Sequence, residues 1–152
     1  MSEYAEIFAK YPEGDKSYLI EILRDIQDRD RYISREVMEE LANHFGILDT
    51  DVEGVVSFYS LLTNKPMGKY VIRICRTACC KIKGADSLKE ALEKELGVSE
   101  GEVSEDGLFS FETTECIGMC DVAPAMLVNH EPYGNLTVEK LSEILQEYRQ
   151  KC

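Results

Sequence analysis

Five of the six cysteines fall in two tight groups, Cys75-Arg76-Thr77-Ala78-Cys79-Cys80 and Cys116-Ile117-Gly118-Met119-Cys120, while the sixth, Cys152, ends the sequence. The 74 residues before the first group contain no cysteine. Thiols concentrated this way, rather than spread as a disulfide framework, read as a metal or redox site in a reducing compartment. Four thiolates on two loops can hold zinc or an iron–sulfur cluster. Structural zinc favours C-x2-C knuckles, whose tight turn aims both sulfurs at one ion. Neither group has that spacing. The first offers C-x4-C from Cys75 to Cys80, or C-x3-C if Cys79 is used, and the second is C-x3-C from Cys116 to Cys120. The wider steps suit a rhomb of two irons and favour a 2Fe–2S cluster, with zinc as the rival. Dithiol–disulfide exchange would want C-x-x-C at a helix N-terminus; no such pair exists, and a disulfide between adjacent Cys79 and Cys80 would be strained.

A 2Fe–2S centre with four thiolates is a dianion when both irons are ferric, so donors must lie close. Gly118, and the loop containing Gly84, would let backbone N–H groups approach the sulfurs. Residues 69–94 hold seven basic and three acidic side chains. Arg76, Lys81 and Lys83 either offset the charge of the site or are simply solvated. Met119 reads as a space-filling side chain over the site. His44 and His130 read as surface or packing residues, since a Rieske-type site would need two histidines inside the cysteine loops. Cys152 reads as an exposed thiol at a frayed end.

The remaining 146 positions must position those loops. With 152 residues, 44% hydrophobic and 30% charged, the chain can bury a core. Its formal charge of −12 disfavours nucleic-acid and anionic-membrane partners. No window is apolar enough for a membrane helix and no secretory signal opens the sequence, so a cytoplasmic location is expected. Up to about residue 66 the pattern is helical. Leu19, Ile22, Leu23 and Ile26 form one stripe, and Ser34 caps a helix bearing Val37, Met38, Leu41 and Phe45 that stops at Gly46. Thr50-Asp51-Val52-Glu53 matches a capping box opening a third helix with Val52, Val55, Val56 and Tyr59 inward. Phe45, Phe58 and Tyr59 read as core or subunit contacts. Fourteen acidic against seven basic residues in positions 1–66 count against a DNA-reading helix-turn-helix.

Pro66 and Gly68 mark a turn-rich junction, after which the period changes. Tyr70-Val71-Ile72-Arg73-Ile74 reads as a strand entering Cys75, and residues 108–113 as a second strand delivering Cys116. Between them Ser87-Leu88-Lys89-Glu90 predicts a capped helix ending at Gly97. Residues 125–129 and 133–136 predict a hairpin turning through His130, Glu131 and Pro132, and Thr137 caps a last helix. The order predicts an α+β chain: a helical bundle over residues 1–66, then over residues 67–152 a small mixed sheet with a helix on each face.

The C-x4-C and C-x3-C pattern, Gly84 four residues after the second cysteine, and Ala123-Pro124 after the last resemble the thioredoxin-like 2Fe–2S ferredoxin family. Ile22-Leu23-Arg24-Asp25-Ile26-Gln27, Tyr32-Ile33-Ser34 and Val55-Val56-Ser57-Phe58-Tyr59-Ser60 are similar to that family's helical N-terminal part. The resemblance spans about residues 16–150. It implies a helical bundle followed by a thioredoxin-like domain and one 2Fe–2S cluster on Cys75, Cys80, Cys116 and Cys120, with Cys79 standing where many relatives have Pro or Ala. Pro124 would be a cis proline by the same analogy. Such a cluster carries one electron at a time, and no G-x-G-x-x-G phosphate loop is present, so the chain alone would not oxidise NADH. The resemblance implies a hetero-oligomer, with a flavoprotein that carries FMN, NADH and a 4Fe–4S cluster and a larger iron–sulfur, hydrogenase or formate dehydrogenase subunit. The partner-facing surface would be the cluster end and the bundle. Short length favours a soluble NAD-dependent hydrogenase or formate dehydrogenase, electron-bifurcating versions included. The alternatives are the small 2Fe–2S component of respiratory NADH:quinone oxidoreductase (complex I) and, in another class, a structural zinc module.

Overall fold

The structure, a computed structural model, describes residues 4–12 and 14–151. Cys152 lies outside the described residues. The chain forms two compact units, residues 1–66 and 67–152.

The first unit holds four helices: α1 (Ala5–Phe8), α2 (Leu19–Asp30), α3 (Arg35–Phe45) and α4 (Asp49–Phe58). Ile22, Leu23 and Ile26 of α2 pack with Val37, Met38, Leu41 and Phe45 of α3 and Val52 and Val56 of α4 in one core. The Ser34 hydroxyl accepts the Val37 N–H (3.3 Å), and Gly46, at φ 61°, ends α3. Two expectations need correction. The helix expected to be capped by Thr50 has its cap two residues earlier, at Leu48, and opens at Asp49, because Asp51 takes the Leu48 N–H (3.2 Å). Tyr59 is not inward: it is exposed, as is Phe58 beside it, because α4 ends at Phe58 and the chain leaves the helical stripe.

The second unit is built on a four-stranded mixed sheet in the order β2-β1-β3-β4, with β1 (Tyr70–Cys75), β2 (Phe109–Thr114), β3 (Met126–Val128) and β4 (Glu131–Tyr133). Strands β1 and β2 run parallel in a register pairing Tyr70 with Phe109 and Cys75 with Thr114; β3 and β4 are antiparallel neighbours. Between β1 and β2 lie α5 (Ala78–Ile82) and α6 (Ala85–Leu96), and α7 (Val138–Gln150) closes the chain. Ile72, Ile74, Phe109, Phe111, Met126 and Val128, all on one sheet face, share a core with Leu88 and Leu92 of α6 and Leu141, Ile144 and Leu145 of α7. Both long helices therefore cover the same face, and the expected helix on each face is corrected. The helices also meet directly, Ser142 donating to Glu95 (2.6 Å).

Further boundaries differ from the sequence reading. Helix α6 begins after Gly84, whose φ of 100° breaks it from α5, so Ser87 lies inside the helix rather than at its cap. The hairpin turns through Asn129, at φ 53°, and His130, which leaves Glu131 and Pro132 in β4. Pro132 is tolerated because β4 is an edge strand. Gly68 serves close approach rather than a turn: a Cβ there would lie 2.6 Å from the Phe109 carbonyl carbon, and its N–H bonds Ser110 Oγ (3.1 Å).

Glu100 ties the end of the crossover to β2. It accepts from Lys89 Nζ (2.8 Å) and from the Thr113 N–H (2.7 Å) and hydroxyl (2.6 Å). Burial alone would raise its pKa, but these donors outweigh burial and hold the carboxyl at about 2, below its ordinary 4.5. A depressed carboxylate stabilises the fold fully above its ordinary value and loses that contribution as the pH falls from 4.5 towards 2. Glu100→Gln is expected to cost about 1 kcal/mol at neutral pH, a value discounted for partial solvent exposure. The deficit should shrink across that acid window when urea denaturation is compared at a series of pH values. Gly68→Ala is expected to cost about 1–3 kcal/mol in the same assay, since the obstructing atoms are backbone.

Candidate metal centre

Parallel pairing sends β1 and β2 out of the sheet at the same end, and each continues into one cysteine group. Cys75 is the last residue of β1 and is buried. The chain then turns into α5, which carries exposed Cys79 and buried Cys80. This five-residue helix was not anticipated; Thr77, a residue type favoured at helix starts, was its only sequence signal. Beyond β2, Cys116 and Cys120 are both exposed on the loop that contains Gly118. A third segment closes the site: the Ala125 carbonyl accepts the Cys75 N–H (3.2 Å), just after the cis Ala123–Pro124 bond.

The thiols interact with one another across the two loops. Burial pushes the Cys75 thiol up, but hydrogen bonds from the Thr77 side chain and N–H, from Cys80 and from the Ile117 N–H leave it below its ordinary value. Cys80 is held above its ordinary value by burial and by Cys75, with Cys116 adding repulsion, while the Ala125 N–H opposes the shift. Cys120 is pushed up to about 11 by Cys116, with Cys79 contributing in the same direction. Cys75 thus faces Cys80 and Cys116 faces Cys120, and the two loops act on each other through Cys116 on Cys80 and through exposed Cys79 on Cys120.

Cys116 Sγ and Cys120 Sγ lie 3.8 Å apart. Two thiolates on one tetrahedral metal, at bonds of about 2.3 Å, are separated by about 3.8 Å. The pair therefore fits a shared metal position without rearrangement. Among the described residues no three His, Cys, Asp or Glu side chains converge. The thiols lie as a buried pair, Cys75 and Cys80, and an exposed pair, Cys116 and Cys120. Donors are in place as well. Gly118, at φ 79°, directs its N–H at Cys116 Sγ (3.4 Å), and the Thr77 hydroxyl lies 3.2 Å from Cys75 Sγ. The N–H of Gly84 itself bonds the Lys81 carbonyl (3.0 Å). Arg76 pairs with Glu115 and Lys81 with Asp86 (3.8 Å), whereas Lys83 is exposed. Met119 is half-buried against the core, His44 stacks on Phe8 and His130 is exposed.

A model of the thioredoxin-like [2Fe-2S] ferredoxin family matches residues 4–149. The chain belongs to that family. Its group is accordingly one 2Fe–2S cluster, and the donor set just described fits it. The chain is 45% identical to NADH-quinone oxidoreductase subunit 2 of Thermus thermophilus over 84% of its own length and 71% of that protein. It is 36% identical to the NADP-reducing hydrogenase subunit HndA of Solidesulfovibrio fructosivorans, over 96% and 85% of the two chains. It is 34% identical to an NADH-quinone oxidoreductase subunit of Escherichia coli, over 90% and 82%. Its fold is similar to part of an NAD+-reducing [NiFe]-hydrogenase crystal structure, with a TM-score of 0.77 over 88% of this chain at 20% identity. The chain spans only 23% of that hydrogenase polypeptide.

Of the two adjacent thiols, only Cys80 shares the buried environment of Cys75. Cys80→Ser is therefore expected to abolish binding of iron and sulfide, and Cys79→Ser to leave both at the wild-type level when metal content per chain is measured. The reverse pattern would shift the register to Cys79.

Proposed function

We propose that this chain is the small 2Fe–2S electron-transfer subunit of a multi-subunit NADH-linked oxidoreductase, with Cys75, Cys80, Cys116 and Cys120 as the cluster ligands. The carrying observation is that a buried and an exposed thiol pair, the latter at a spacing of 3.8 Å, follow two parallel strands at the same end of the sheet. When bound, the cluster supplies storage of a single electron. The chain's own residues hold it and shape its surroundings. Cys75 and Cys80 anchor one side in the protein interior, and the N–H groups of Thr77, Ile117 and Gly118 face sulfur. Cys116 and Cys120 keep the other side at the surface, where a redox partner can approach.

A one-electron centre leaves hydride chemistry to another subunit. The reading therefore includes a flavoprotein partner that carries FMN, NADH and further iron–sulfur clusters, and a larger iron–sulfur, hydrogenase or formate dehydrogenase subunit. The 1–66 unit offers exposed Phe58, Tyr59 and Leu61 as apolar contact residues for such an assembly. Among the described residues no helix is long and apolar enough to cross a membrane. A hydrogenase parent is supported by the likeness to the hydrogenase subunit over nearly the whole of this chain. The 45% identity to the Thermus subunit favours a second parent, an NADH:quinone oxidoreductase of the complex I type.

Anaerobically isolated protein is expected to be reddish brown and to bleach with dithionite. It should contain two irons and two sulfides per chain and show a rhombic paramagnetic signal once reduced. A colourless protein with one zinc per chain would replace this reading with the zinc module. Which catalytic subunit accompanies the chain in the purified native complex distinguishes the two parents.

A further inference from the structure

Thr77 stands at the N-cap of α5 with the extended backbone of a capping residue, φ −75° and ψ 165°. A threonine in that position ordinarily turns its hydroxyl back to accept a first-turn N–H. Ser34 and Thr137 do this at the starts of α3 and α7, at 3.3 and 3.2 Å. Thr77 makes no capping bond. Its hydroxyl oxygen lies instead 3.2 Å from Cys75 Sγ. The residue thus occupies a capping position and directs its polar atom at a sulfur.

We infer that Thr77 is a positioning residue that sets the reduction potential of the centre, its hydroxyl donating a hydrogen bond to the Cys75 sulfur. The inference rests on the reading of Cys75 as a cluster ligand. A coordinating thiolate carries no proton, so within this pair only the hydroxyl can donate. A bond donated to a ligand sulfur draws electron density from it and favours the reduced, more negative state over the oxidised one. The potential is therefore less negative with the hydroxyl than without it. Two features make this contact matter. Cys75 is only 1% exposed, so bulk water does not replace a lost donor, and the dry surroundings strengthen the bond that is made. The N–H groups facing the sulfurs belong to the backbone and are fixed by the fold. The Thr77 hydroxyl is a donor that one substitution removes without touching the chain path.

The test is a redox titration of the whole, cluster-loaded chain followed by paramagnetic resonance. Thr77→Val keeps the branched shape and deletes the donor, Thr77→Ala deletes it with less bulk, and Thr77→Ser retains it. The midpoint potential is expected to move to more negative values in Thr77→Val and Thr77→Ala and to stay with wild type in Thr77→Ser. A loaded Thr77→Val or Thr77→Ala protein that titrates with wild type would overturn the inference and leave the proposed function standing. Wild-type protein with no 2Fe–2S centre would remove the proposed function itself. Loss of the cluster from both donor-free variants, with Thr77→Ser retaining it, would make the hydroxyl a requirement for holding iron and overturn its role in setting the potential.

Discussion

The parallel pairing of β1 with β2 is the constraint on which the site depends. Their six-residue register ends flush, Cys75 opposite Thr114, so both chains leave the sheet at one level. Neighbouring strands lie about 4.8 Å apart, and the two cysteine groups therefore begin within side-chain reach of each other. An antiparallel pair would have sent the loops to opposite ends. Parallel pairing in turn demands a crossover, and the 33 residues between the strands provide it through α5 and α6. The first turn of that crossover is also the element that carries Cys79 and Cys80. Fold and site are built from the same segment.

Burial then divides the four proposed ligands. Cys75 ends a strand whose neighbours on both sides are paired, and Cys80 sits on the inner side of α5; both are closed over by the Ala123–Ala125 segment. Cys116 and Cys120 are exposed on the segment after β2, which the positive φ of Gly118 turns and which ends in a short 3-10 turn at Cys120–Val122. A thiol in the interior cannot rely on solvent to carry a negative charge, which is why the protein donors gather round the Cys75 side. The exposed pair needs fewer, because water is available.

Much of this was legible in the sequence, and for identifiable reasons. Helix α2 is legible from its apolar stripe and α3 from a stripe joined to a serine cap and a glycine stop, signals that are local and that tertiary contacts reinforce. The two strands entering the cysteine groups followed from β-branched or alternating runs. The thiol grouping was legible because thiolate chemistry imposes spacing. What escaped reading depended on contacts between distant residues. No local signal reveals that α6 and α7 share one sheet face, since each presents a single stripe compatible with either side. Helix α5 is too short to display a period. Capping boxes at Thr50 and Ser87 were matched by composition, yet Asp51 reaching Leu48 and the left-handed Gly84 fixed the true starts. The choice of Cys80 over Cys79 gained a physical basis only when one proved buried and the other exposed.

The basic excess near the first cysteine group also takes on a different meaning in the folded chain. Residues 100–115 contain six acidic and no basic side chains, the complement of the seven basic residues in positions 69–94. Arg73 pairs with Glu112 (2.7 Å), Lys89 with Glu100 (2.8 Å), and Arg76 with Glu115. Each of these bonds joins the β1–α6 half of the crossover to the β2 side, and Arg76 links the two cysteine loops directly, its own N–H bonding the Thr114 carbonyl (2.9 Å). The first is largely withdrawn from solvent, where a misaligned partner would leave an uncompensated charge. A one-residue slip of β2 would turn Glu112 to the opposite face and strand Arg73. The cations therefore act first as determinants of strand register. Their effect on the charge of the site is indirect: by fixing the register they fix how far apart the two thiol pairs stand.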